Sequence, residues 1–88
     1  MKDKGPFIVG EAYLIRTVTY HQVGVLMEIK GDFLVLKDAS WVADSGRFSD
    51  CLSKGTFNEV EYVGIIFVNK NSIVDAFPWT NKLPKETK

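Results

Sequence analysis

One histidine, His21, and one cysteine, Cys51, are the side chains of this 88-residue chain that could pair a soft nucleophile with a base titrating near neutrality. A thiol attacks as the thiolate, so such a pair needs the imidazole within hydrogen-bond reach of the sulfur. Packing accounts for both residues more simply. Cys51 falls with Phe48 and Leu52 at i, i+3 and i+4, an apolar helical stripe, and His21 sits at a turn between Tyr20 and Gln22. A metal would have to be held by His21 with carboxylates such as Asp44 and Asp50, at no spacing typical of a ligand set, and a lone cysteine excludes a cysteine-built zinc site. Asp38, Asp44 and Asp50 could supply an acidic pair for hydrolysis, but Asp38 suits backbone donors at a strand end and Asp44 a helix cap. The chain therefore reads as a non-enzyme without metal or cofactor. What remains is recognition. Lys70 between Asn69 and Asn71 offers a cation flanked by amides, and Phe33 beside Asp32 offers a ring face, the two ingredients of a single-strand nucleic-acid site. The plainer account makes Asn69 and Asn71 turn formers, Lys70 a solvated cation and Phe33 a core residue. Trp41 could likewise be a stacking platform or a cap on the core or an interface.

The apolar pattern says which elements carry these residues. Phe7 to Thr19 mixes β-branched and aromatic residues, with Gly10 at a bend, and predicts a first strand over Tyr13 to Tyr20. Val23, Val25, Met27 and Ile29 alternate with Gly24, Glu28 and Lys30, which makes Gln22 to Lys30 a half-buried second strand. Lys30-Gly31-Asp32 turns into a third strand, Phe33 to Asp38, in a tight hairpin. Asp44 or Ser45 can then cap a helix of two to three turns through Phe48, Cys51 and Leu52, and Gly55 can close it in the left-handed conformation. Glu59 to Asn69 is the fourth strand, Asn69-Lys70-Asn71 a turn, and Ser72 to Trp79 the fifth strand, with Pro78 where a ladder ends.

The two ends, residues 1–6 and 80–88, are polar and read as flexible tails, leaving one domain over residues 7–79. Eleven Lys and Arg balance eleven Asp and Glu, so bulk charge selects no partner. The single cysteine fits a reducing compartment, and no apolar run approaches the ~20 residues of a membrane span. The expectation is a soluble cytoplasmic protein with no membrane partner. A chain this short buries only roughly 60% of its unfolded surface, yet its fourth strand is apolar on both faces. Val63, Ile65 and Phe67 point one way and Tyr62, Ile66 and Val68 the other. A strongly bent sheet, with Gly24 and Gly64 at bends or close approaches, covers part of that surface, and an adjacent copy of the chain could cover the rest.

Five short bent strands arranged this way resemble the Sm-like fold, shared by eukaryotic Sm and Sm-like proteins and bacterial Hfq. Val23 to Lys30 with Phe33 to Ala39 is similar to the first Sm motif, a glycine in a bent second strand, a polar turn, and an apolar third strand closing on an acidic residue. Ile65 to Val74 is similar to the second motif, an apolar fourth strand, a four-residue turn and a short fifth strand. The resemblance spans roughly residues 13 to 77. Asp32-Phe33 stands about where the family has a base-holding Asn and a stacking neighbour, in a turn one residue shorter. Asn69-Lys70 replaces the family's Arg-Gly, and Hfq's Tyr-Lys-His turn is absent. The family's N-terminal helix has no counterpart, since Gly5 to Gly10 reads as extended, while a helix is inserted between strands three and four. So reduced a member resembles the short phage-encoded Sm-like proteins, which makes phage origin an expectation of the resemblance.

The resemblance implies an all-β, five-stranded Sm-like (SH3-like) barrel and a closed homo-oligomeric ring of five to seven subunits, in which the fourth strand of one copy pairs with the fifth of the next. On that basis Tyr62, Gly64, Ile66, Val68, Ile73 and Phe77 are the expected interface. Asp32, Phe33, Asn69, Lys70 and Asn71 are the expected contacts to single-stranded RNA or a nucleotide, on turns near the pore. The alternative is a structural or protein-interaction ring without nucleic-acid activity, which zero net charge and the missing base-pocket residues favour.

Overall fold

The computed structural model describes residues 6–18 and 20–85. Alternating apolar residues become strands where predicted, and the elements run β1 (Ala12–Thr17), β2 (His21–Lys30), β3 (Phe33–Asp44), α1 (Phe48–Lys54), β4 (Glu59–Asn69), a 3-10 turn (Lys70–Ser72) and β5 (Ile73–Pro78). All five strands form one antiparallel sheet in the order β4-β3-β2-β1-β5. β4 and β5 therefore sit at opposite edges although only Lys70–Ser72 separates them. Three residues reach at most about 10 Å, so the sheet must curl until its edges nearly meet at that turn. The result is a bent, barrel-like sheet whose seam is not hydrogen-bonded.

Register shifts do the bending, between Val23 and Val25 and between Leu26 and Glu28 on β2, and between Leu36 and Ala39 on β3. Asp38 adopts a left-handed φ of 50° at the β3 shift. The polar pair Lys37-Asp38 thus marks a bulge and not the expected strand end, and β3 continues to Asp44. β1 is shorter than predicted. It stops at Thr17, whose N–H and hydroxyl both donate to the Tyr20 carbonyl across the turn into β2.

Curling separates two apolar clusters. Inside the bend lie Tyr13, Ile15, Leu26, Leu34, Leu36, Ala39 and Val68, with Ile66, Ile73 and Ala76 packed against them. On the outer face lie Leu14, Val23, Val42, Cys51, Phe57, Val60 and Trp79, roofed by Phe48, Leu52 and Leu83. Each fully buried Leu, Ile or Val contributes roughly 1.5–3 kcal/mol. The roof is α1 together with the chain after β5. Gly55 ends α1 with φ 71° and returns its N–H to the Cys51 carbonyl. The expected Asp44 or Ser45 cap is corrected: Arg47 occupies the N-cap without a side-chain bond, because the Asp44 carboxylate is engaged by the Gly46 N–H in the turn before it.

The stretch expected to begin a flexible tail packs instead. Asn81 Nδ2 donates to the Leu52 carbonyl at 2.8 Å, Ser40 Oγ to the Pro84 carbonyl at 2.9 Å, and Lys85 Nζ to Asp38 Oδ1 at 3.1 Å. Residues 80–85 thus strap α1 to β3; the rest of that predicted tail, residues 86–88, lies outside the described residues, as do residues 1–5 and Thr19.

The tightest point of the bend is Gly24, where a Cβ would stand 2.8 Å from Ala39 Cβ and 3.1 Å from the Lys37 carbonyl oxygen. Gly24→Ala should destabilise the fold by roughly 1–3 kcal/mol through overpacking. Urea unfolding measures this, and an unchanged midpoint would remove Gly24 as the pivot of the bend.

Candidate nucleic-acid interface

The β2–β3 turn and the β4–β5 turn meet at one end of the sheet. Phe33 and Asn69 are register partners, and the Lys70 N–H donates to the Asp32 carbonyl at 2.8 Å. Within the second turn, Asn69 Oδ1 accepts from the Asn71 N–H at 2.8 Å and the Asn69 carbonyl accepts from Ser72 Oγ at 2.8 Å. Asp32, Phe33, Asn69, Lys70 and Asn71 are therefore brought together, and the Asn69 side chain is used in shaping the turn. Lys70 and Asn71 are exposed.

Phe33 is not the core residue of the plainer reading. It is 43% exposed, because the inward positions on β3 are Leu34 and Leu36. Beside it Phe67 is 68% exposed, and a shallow depression of about 250 Å³ is lined by Lys30, Phe33, Val35 and Phe67. That is below the roughly 300–1,000 Å³ of pockets for drug-sized ligands, and a single planar ring suits it better. Lys30 and Phe67 were missing from the sequence-based site. Their signal was register, since Lys30 pairs with Phe33 and Phe67 with Val35. Chemically the patch offers aromatic faces with cations at Lys30 and Lys70, and it can stack a base and meet a phosphate.

The six expected interface residues lie on the two edge strands and are not assembled into one surface within the chain. Val68 is buried in the inner cluster, and Ile66 and Ile73 pack against it. Gly64, at φ 102°, pairs with Ala39. Phe77 meets the Phe48 ring at 5.1 Å, and Tyr62 lies beneath the Lys85 ammonium, 5.4 Å from its ring centre. The most exposed apolar side chains on these strands are Val63, Ile65 and Phe67 of β4 and Val74 of β5.

The other candidates fall into structural places. Trp41 is half-buried with its ring 4.7 Å from that of Tyr20, and Trp79 is buried 5.4 Å from Phe57. Cys51 is fully buried, and burial pushes its thiol above the ordinary value, the opposite of an activated nucleophile. Among the described residues no hydrogen bond joins it to His21, and no group of three His, Cys, Asp or Glu side chains is placed to hold a metal. Among the described residues no helix is long and apolar enough to cross a membrane.

No protein-family model matches the sequence, and no curated protein matches it either. Among solved structures, the fold is similar to that of an archaeal Sm protein described as heptameric, with a TM-score of 0.57 and 18% sequence identity over 80% of this chain and 87% of that one. At that identity the likeness establishes the fold: five antiparallel strands in one bent sheet with a short helix between the third and fourth are the Sm fold expected from the two motif-like segments.

The burial of Cys51 has a direct chemical consequence. Iodoacetamide should leave the native protein unmodified at neutral pH and alkylate it once unfolded in urea, read by mass. Rapid native alkylation would restore the thiol as a functional candidate.

Proposed function

We propose that this chain assembles head to tail into a homo-oligomeric ring through its β4 and β5 edges, and that the ring binds single-stranded RNA or a nucleotide at the paired turns. The observation that carries the reading is the strand order: β4 and β5 are the two unpaired edges of one sheet, with Val63, Ile65, Phe67 and Val74 uncovered along them. An edge of one kind meeting an edge of the other is a heterologous contact, which closes into a ring when the rotation allows. Tyr62, Gly64, Ile66, Val68, Ile73 and Phe77 then supply the contact through the backbones and side chains of the two strands. The solved Sm neighbour is heptameric, in keeping with an order of five to seven.

Each subunit would add one copy of Asp32, Phe33, Asn69, Lys70 and Asn71. Asn69 sets the turn, Lys70 meets phosphate, Phe33 with Phe67 stacks a base, and the Asp32 carbonyl holds the two turns together. The reading makes the protein a binding ring in the cytoplasm and not an enzyme. A second reading, a scaffold ring that binds proteins, is favoured by the zero net charge.

Light scattering should give a mass of five to seven times the 9.9 kDa subunit, and a monomer at working concentration would end the ring proposal. Short oligo(A) or oligo(U) should bind in the micromolar range, more weakly as salt rises. Lys70→Ala should abolish that binding and Phe33→Ala should cost about 1–3 kcal/mol per stacked base, with the mass unchanged. A ring that binds no oligonucleotide at low salt selects the scaffold.

A further inference from the structure

One row of side chains crosses β2, β1 and β5. Arg16 on β1 is the register partner of both His21 on β2 and Asp75 on β5. Arg16 Nε donates to Asp75 Oδ1 at 2.6 Å and its Nη2 donates to Oδ2, a two-pronged fork. The guanidinium carbon also lies 4.9 Å from the centre of the Phe48 ring and 5.8 Å from that of Phe77, so the head of α1 and β5 both close on it. The His21 ring lies 6.4 Å from Phe48, and its Nδ1 is buried with no hydrogen-bond partner. A neutral imidazole can leave one nitrogen as an idle acceptor. A protonated one carries an N–H on both nitrogens, and here the second would face no acceptor while its charge sat beside a guanidinium.

We propose that the His21–Arg16–Asp75 row is an acid-responsive latch: protonating His21 drives its ring out of its seat or into competition with Arg16 for Asp75, freeing the head of α1 and loosening β5 from β1. The charged groups acting on His21 are Arg16 and Asp75; α1 brings the Phe48 ring and β3 the alkyl side chain of Val42, its register partner. Burial first and the Arg16 cation second hold the imidazole below its ordinary 6.5, against a smaller upward pull from Asp75. The sign follows. Below about 6.5 the unfolded chain binds a proton that the folded one resists, so stability is flat above about 6.5 and falls as pH drops from there through the folded value. Asp75 is held below its ordinary 3.8 chiefly by the Arg16 fork, so its own contribution is lost only as pH falls from there.

The latch works inside one chain and stands whether or not copies associate. It is tested by following the His21 imidazole by NMR between pH 8 and 4.5 together with amide exchange, corrected for intrinsic rates, in Phe48–Lys54 and Ile73–Pro78. The expected result is a His21 midpoint below 6.5, with exchange in both segments rising about tenfold across that midpoint relative to β3, and no such rise in His21→Phe. Titration at or above 6.5, or a rise that persists in His21→Phe, overturns the latch. Should that variant fail to fold, the wild-type curves decide, because loss of protection must track the His21 chemical shift. A change of assembly mass with pH while exchange stays constant places the sensitivity in the contact between copies and overturns the latch too.

Discussion

A β-strand edge is a row of unpaired backbone donors and acceptors, and this sheet stops at two of them. Everything else in the molecule is arranged around that fact. The curl brings β4 and β5 close enough for a three-residue turn to join them, yet the sheet order shows that they do not hydrogen-bond to each other. Had the seam closed, the chain would be a sealed barrel with no further backbone valence. Left open, it presents a donor and acceptor ladder on either side of one subunit, and the uncovered side chains of β4 and β5 run along those ladders. Small sheet proteins normally blunt such edges with charge or proline. Here Pro78 caps only the end of β5, and the middle of β4 carries Val63, Ile65 and Phe67 exposed.

The same curl divides the outer face of the sheet in two. Over one end, α1 and the strap of residues 80–85 bury Leu14, Val23, Val42 and Val60 beneath Phe48, Leu52 and Leu83. Over the end with the β2–β3 turn, nothing among the described residues covers Phe33 and Phe67. A chain of this length cannot roof both halves: one short helix and six strap residues are spent on the first. The aromatic depression beside Lys30 is therefore a direct outcome of where the inserted helix lands. The Arg16–Asp75 fork lies under the head of α1, with Asp75 three residues past the Lys70–Ser72 turn along β5.

Much of this was legible because local pattern and tertiary structure agree. The alternation in β4, the Asn chemistry of the 3-10 turn and the Gly55 cap each depend on neighbours in sequence. β4 was read to its exact ends for that reason. In β2 the single face expected for Val23, Val25, Met27 and Ile29 fails, because register shifts at Val23/Val25 and Leu26/Glu28 bury Leu26 and leave Met27 exposed. Where the reading went astray, a distant partner had overridden the local signal. Lys37-Asp38 looks like a polar strand end, but Ala39 pairs with Gly64 and carries β3 onward past a bulge. Phe33 was left between a stacking face and a core residue, and only the register of Leu34 and Leu36 turns it outward. The polar residues after Trp79 look like a tail, but Asn81 and Lys85 find partners on α1 and β3 that no window along the chain can reveal. The Arg16–Asp75 fork, separated by 59 positions, is invisible for the same reason.

Zero net charge argues against nucleic acid only if charge is spread evenly, and here it is not. Asp38 is occupied by Lys85, Asp75 by Arg16, and Asp50 lies 3.9 Å from Lys54 on its own helix. Those pairs remove carboxylates from the reckoning together with an equal number of cations, while Lys30 and Lys70 stay at the turn end without being drawn into any of them. Interactions between exposed charges fade over about 8–10 Å in physiological salt, so a phosphate at the turns responds to the charges near it and not to the sum over the chain. Asp32 and Glu28, the latter the register partner of Val35 in the depression, are opposing charges in that neighbourhood, so the local balance of Lys30, Lys70, Glu28 and Asp32 is the quantity that the proposed nucleic-acid binding depends on.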